Sequence, residues 1–207
     1  MTSSPAPGVC LWFTGRSGSG KSTVTRALLP HLERAGRVVT VLDVVPLLEK
    51  APGERTSEGK LLRKAFVASE VVRHGGIAIC VTVSARAHTR EAAREMVGSE
   101  RFLEIHVDPP TEVARARKDA RGRRPTLRKR LKLLRRRAGM LVRGSGGVTH
   151  ESPIAPDLRI DSAVTPAEEG ALAIVRLLVE RGFLPDPEGG GAPPTDGLSD
   201  GPSDGEV

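Results

Sequence analysis

The stretch Gly15-Arg16-Ser17-Gly18-Ser19-Gly20-Lys21-Ser22-Thr23 decides the fold, because it fits the pattern G-x-x-x-x-G-K-[S/T] and sits between two matching flanks. Before it runs Val9-Cys10-Leu11-Trp12-Phe13-Thr14, short, apolar and rich in strand formers. After it, Val24, Ala27, Leu28 and Leu32 recur at helical spacing. Strand, glycine loop and helix in that order form a phosphate site. Backbone N–H groups converge on phosphate oxygens, and the helix N-terminus adds partial positive charge. Residues 15–23 are therefore the candidate cradle for a nucleoside triphosphate. Lys21 would reach the β- and γ-phosphates, and the Ser22 hydroxyl would ligate Mg²⁺. A glycine-rich turn with a chance lysine is the bland alternative, and the flanks argue against it.

Working outward, Arg37 to Leu42 reads as a second strand that ends at Asp43. Gly59 to His74 reads as a helix with apolar positions 61, 62, 65, 66, 68, 71 and 72, closed by Gly75-Gly76. The almost continuous apolar run Ile77 to Val83 marks a strand covered on both faces. A helix over about 87–97, a strand over Phe102 to Val107 and a helix opened by Pro109-Pro110 follow. Leu158 to Ile160 is a last short strand, and Thr165-Pro166 starts a helix running to about Arg181, stopped by Gly182. This alternation predicts an α/β fold: a doubly wound, five-stranded parallel sheet with its ligand at the carboxyl ends of the strands. Asp43, immediately after the second strand, should face the same crevice as the glycine loop. There it would help organise Mg²⁺ or accept a proton from an attacking hydroxyl, where a plain turn aspartate would do neither.

The 207 residues suit one domain with tails. No apolar stretch reaches the roughly 18–20 residues of a membrane span. Met1 to Gly8 lacks the pattern of a signal peptide. Cys10 and Cys80 lie inside apolar strands, as buried free thiols of a cytoplasmic protein would, and two cysteines offer no zinc spacing. The expected plan is a disordered N-terminus (1–8), a kinase-like domain (9–184) with a basic insertion near 119–150, and a disordered tail (185–207).

Charge is unevenly placed. The tail carries six acids and no base, so removing it raises the formal charge from +7 to +13. Arg115 to Arg143 holds fourteen Lys/Arg against Asp119 alone. Three readings stay open for that segment. It would be a lid whose arginines (Arg121, Arg123 and Arg124 foremost) close over a triphosphate. It would bind nucleic-acid backbone, though without interleaved aromatics for base reading. Or Leu127, Leu131 and Leu134 would make an amphipathic helix docking on the body or on a partner.

The chain resembles the adenylylsulfate kinases. Trp12 to Val24 is close to that family's opening; Val41-Leu42-Asp43 matches the start of V-L-D-G-D-N-x-R, and Ser84 falls on the serine of F-I-S-P. Arg94 to Asp108 is similar to R-E-x-V-G-x-x-R-F-x-E-V-F-V-D, Arg117 falls on the arginine of C-E-A-R-D, Arg137-Ala138-Gly139 matches R-A-G, and Ala155 to Asp161 resembles the run to R-I-D-T. The resemblance covers about residues 9–119 and 153–182. It implies transfer of the γ-phosphoryl of MgATP to the 3′-hydroxyl of adenylylsulfate, with Lys21, Asp43 and Ser84 at the catalytic centre and Arg117 against the nucleotide. It also suggests a homodimer.

The acceptor half departs from the family. Its second aspartate is Val45 and the arginine of the same segment is Leu48. The arginine and asparagine of D-R-x-E-N align with Ser57 and Lys60, the proline after the motif serine is Ala85, and F-T-G-I aligns near Gly144-Ser145-Gly146-Gly147. Each arginine lost from an anion removes a contact worth about 1.5–3 kcal/mol. The expectation is a kinase whose small-molecule hydroxyl acceptor has diverged from adenylylsulfate. A true adenylylsulfate kinase, and a non-catalytic nucleotide-binding protein that recruits a polyanion or protein partner, are the alternatives.

Overall fold

The computed structural model describes residues 6–43, 56–83, 86–122 and 151–186, with backbone alone for 121 and 122. Five parallel strands form one sheet in the order β2-β3-β1-β4-β5. They are β1 (Val9–Thr14), β2 (Val39–Leu42), β3 (Ile77–Val81), β4 (Phe102–Val107) and β5 (Leu158–Ile160). The helices are α1 (Lys21–Arg34), α2 (Ser57–Arg73), α3 (Ala87–Val97), α4 (Thr111–Gly122) and α5 (Ala167–Glu180). The α/β fold expected from the alternating pattern is the one observed. Parallel strands need a crossover between them, and α1 to α4 supply that chain.

β1, β3 and β4 are buried along their whole length, which is why they read as apolar runs. Alternate residues serve two different layers. Val9, Leu11, Phe13, Ile77, Ile79, Leu103, Ile105 and Val107 pack with Val24, Leu28 and Leu32 of α1 and Ile174 and Leu178 of α5. Cys10, Trp12, Ala78, Cys80 and Phe102 face the other way, onto Ala65, Ala68 and Val72 of α2 and Ala93 of α3. Trp12 and Phe102 meet there with ring centroids 5.5 Å apart. Cys10 and Cys80 are buried free thiols, and their mutual contact followed by burial pushes the Cys10 pKa up.

Several boundaries move, each for a local reason. α2 starts at Ser57 rather than Gly59 because the Thr56 side chain caps it, accepting from the Gly59 N–H at 3.0 Å. β3 ends at Val81 rather than at 83, and just past it the Thr82 N–H and hydroxyl both donate to the Phe13 carbonyl at 3.0 Å. β2 starts at Val39, two residues later than Arg37. The last helix starts after Pro166, which precedes its first residue, Ala167. α1 runs on to Arg34 through Pro30, a residue without an N–H to give. Phe66, one of the apolar positions of α2, is 59% exposed rather than packed.

Arg37 opens the short run before β2 and binds three carbonyls: Phe183, Pro7 at 2.7 Å and Gly75 at 3.0 Å. Its guanidinium thereby gathers the first described residues, the α2–β3 turn and the segment after α5. The tail beyond 186, and residues 123–150 of the basic insertion, lie outside the described residues.

Candidate active site

The glycine loop leaves β1 at the carboxyl edge of the sheet and returns as α1. Gly15 has φ +137°, and a Cβ there would stand 2.3 Å from the Val107 carbonyl oxygen. Gly18, at φ +91°, would meet the Ala114 carbonyl at 2.2 Å. Only glycine lets the loop wedge this closely between the end of β4 and α4. The Ser19 N–H closes the turn on the Arg16 carbonyl at 3.1 Å. From behind, the Ser162 hydroxyl donates to the Ser19 carbonyl at 2.7 Å. Arg117 of α4 holds Ser162 in turn, through Oγ at 2.9 Å and the carbonyl at 3.0 Å. Arg16 reaches across to the Thr111 hydroxyl at the start of α4.

Lys21 is the first residue of α1 and is buried. Its ammonium donates to the Gly15 carbonyl at 2.7 Å, the Arg16 carbonyl at 2.9 Å and Ser19 Oγ at 3.3 Å. The charge is thus held over the loop's own carbonyls, beside a helix N-terminus that carries no side-chain cap and no acid in its first turn. Ser22 comes next and its Oγ lies 3.4 Å from Asp43 Oδ2. The loop and Asp43 thus stand at one crevice. Thr23 is exposed on the outer side of α1, its N–H bonded to the Gly20 carbonyl at 2.8 Å.

A cleft of about 160 Å³ runs between the loop (Ser17 to Ser22), Asp43 and residues 81–83. Ser22 and Asp43 contribute two hard oxygen donors to it, which suits Mg²⁺, an ion that keeps waters and phosphate oxygens among its ligands. No group of three or more His, Cys, Asp or Glu able to hold a metal occurs among the described residues. Arg117 stands behind the loop and grips Ser162, a structural contact that its place in the sequence does not reveal. Ser84 and Ala85, Val45 and Leu48, and Gly144 to Gly147 lie outside the described residues, as do Arg123, Arg124 and the side chain of Arg121. Ser57 and Lys60 occupy the exposed first turn of α2.

Two features of the site were missed in the sequence. Ser162 is one serine in a polar turn and gives no local signal. Lys64 gives one: it interrupts the inward stripe Leu61, Ala65, Ala68 of α2, and its ammonium binds the carbonyls of Asp43 and Val81.

A larger hollow of about 550 Å³ opens between α3, Glu104 and residues 151–157. Its charges already face one another. Arg90 meets Glu104 at 2.9 Å with both side chains under 10% exposed, and Arg94 approaches Asp157 at 3.6 Å. Burial pushes the Glu104 carboxyl up, against the downward pull of Arg90 and Arg94.

A five-stranded parallel sheet of order 2-3-1-4-5 with this loop after its central strand defines a P-loop phosphotransferase. The adenylylsulphate kinase family model matches residues 7–161, and the chain belongs to that family. It is accordingly an ATP-dependent phosphotransferase. It is 36% identical to the adenylyl-sulfate kinase of Paraburkholderia xenovorans over 86% of this chain and 97% of that protein. Among solved structures it is similar to the Mycobacterium tuberculosis APS kinase CysC in complex with AMPPNP and APS: 26% identity, TM-score 0.63, 84% of this chain and 99% of that one. It also matches the hexameric APS kinase from Thiobacillus denitrificans with 28% identity and TM-score 0.60, over 87% of this chain and 30% of that one. No described helix is long and apolar enough to cross a membrane.

Proposed function

We propose that the chain transfers the γ-phosphoryl group of ATP, bound with Mg²⁺, to a hydroxyl of a small molecule that has diverged from adenylylsulfate. The observation that carries this reading is a contrast between the cleft and the first turn of α2. The loop, Lys21, Ser22 and Asp43 converge on the cleft, while the first turn of α2 presents Ser57 and Lys60 where the family places an arginine and an asparagine.

In this reading Lys21 leaves its carbonyl partners for the β- and γ-phosphates, and the loop amides take the remaining oxygens. Ser22 and Asp43 would hold Mg²⁺, which would supply neutralising charge for the phosphates. The acceptor hydroxyl forms the new O–P bond as the bond to the β-phosphate oxygen breaks and ADP leaves. Its proton goes to Asp43 or to a basic group of the acceptor, since Val45 replaces the family's second aspartate. A loose transition state asks mainly for positioning and charge, so this machinery suffices. Transfer is direct, with no phosphoenzyme formed on Ser84. The cytoplasm is the compartment that fits two buried free thiols.

Adenylylsulfate itself is the second reading, favoured by relatives that match over nearly their whole length. ADP release from MgATP separates the two. Turnover with adenylylsulfate that Lys21→Ala lowers by about 10²–10³-fold or more would establish the second reading. MgATP binding without adenylylsulfate-dependent turnover supports a changed acceptor. A fully active Lys21→Ala variant would overturn both.

A further inference from the structure

We infer that Lys64 is a positioning residue for the magnesium–nucleotide site, its ammonium bridging the carbonyls of Asp43 and Val81 just past the last β2–β3 pair and thereby fixing where the Asp43 carboxylate stands. The inference rests on the reading of Ser22 and Asp43 as the Mg²⁺ pair.

The register of β2 on β3 runs Val39↔Ile77 to Leu42↔Cys80 and stops there. The next pair in that register is Asp43 with Val81, and Lys64 Nζ binds the carbonyls of both, Val81 at 3.4 Å. Among the described residues β2 is an edge strand of four residues with β3 as its strand neighbour. Val81 is fixed in turn: it lies opposite Phe13 in the β1–β3 register, and Thr82 bonds the Phe13 carbonyl twice. A continuous set of contacts thus runs from the strand that launches the glycine loop, through Val81 and Lys64, to Asp43.

Placement separates this role from ligand binding. The side chain comes up from the second turn of α2 and is only partly exposed, and Lys64 is not among the described residues that line the cleft. It touches the backbone of Asp43, while the Asp43 carboxylate faces Ser22. The lysine carries several donors on one ammonium, which lets it serve both carbonyls at once. Displacing a catalytic group by about 1 Å costs on the order of 10²-fold in rate, so a tether of this kind is felt at the reaction.

The test is binding of ATP to the full chain, measured by calorimetry with Mg²⁺ and again with EDTA. The wild type is expected to bind ATP about tenfold more tightly with Mg²⁺. Lys64→Met should lose most of that gain and leave metal-free ATP binding within about twofold. Lys64→Arg, which can still reach both carbonyls, should keep at least half of it. In an Asp43→Asn background Lys64→Met should add nothing further, because both changes remove one function. A Lys64→Met variant that keeps the whole Mg²⁺ gain, or whose loss multiplies with that of Asp43→Asn, overturns the inference and leaves the Mg²⁺ reading intact. A wild type without any Mg²⁺ gain overturns that reading, and this inference with it. Should Lys64→Met not fold, Lys64→Gln under the same readout decides: loss of the gain supports the tether, and retention sinks it.

Discussion

The two faces of the sheet are built on opposite terms, and β4 shows it residue by residue. Leu103, Ile105 and Val107 point into an apolar layer shared with α1 and α5. Phe102, Glu104 and His106 point the other way, and the last two bring charge and an imidazole into a space that is almost closed to water. The first face is a scaffold that holds the loop and α1. The second face, toward α3, is fastened by polar contacts: Arg90 and Arg94 pair with Glu104, Arg159 pairs with Asp108, and the Asp108 carboxylate stands 3.3 Å from the His106 ring. Arg94 adds its guanidinium over the Phe102 ring at 4.7 Å. A scaffold of hydrocarbon tolerates pH; a buried polar seam answers to it.

That difference can be broken from either side. The largest effect is expected for Arg90→Met, which leaves Glu104 buried beside a weaker partner and should cost about 3–5 kcal/mol in chemical unfolding. A loss below about 1 kcal/mol would mean that the seam contributes little. On the apolar face, Ile105→Ala removes volume from a fully buried site and should cost about 2–5 kcal/mol, with no dependence on salt. The smallest effect is the pH dependence that His106 confers. Burial is the main cause of its lowered pKa, outweighing the Asp108 carboxylate, with Arg159 and Arg90 acting in the same downward direction. The unfolded chain therefore binds the proton first. Stability is full above about pH 6.5 and falls as pH drops toward the lowered folded value, by about 1.4 kcal/mol for each pH unit between the two. Glu104, raised, acts with the opposite sign: its share is present below its ordinary value and lost as pH rises through the folded one. The difference between wild type and His106→Gln, measured across pH 5–7 by thermal unfolding, isolates the histidine; parallel curves would refute its role.

How far the molecule can be read from its sequence follows the same divide. Strands buried on both sides announce themselves, which is why Phe102 to Val107 and the start of β3 at Ile77 fall where the pattern puts them. The glycine loop is legible because its chemistry is local: every group it uses lies within nine residues. Contacts made across the fold leave no such trace. Nothing near Arg37, Ser162 or Glu104 in the chain says which partner each will meet. The alternation F-L-E-I-H-V did carry the polar face of β4 in plain view, and Lys64 stood out of register on an apolar helix face. Both were present as irregularities in an otherwise regular pattern, where function and buried charge tend to lie.

Arg37 also settles a matter of construction. Because one guanidinium holds the carbonyls of Pro7 and Phe183 together, residues 7 and 183 lie at nearly the same spot. That spot is at the amino-terminal edge of the strands, across the sheet from the glycine loop. A short linker between residues 7 and 183 would close the domain into a ring, and new ends could then be opened elsewhere. By the same geometry, residues 7 and 183 both lie at the base of the sheet, on the side away from the glycine loop.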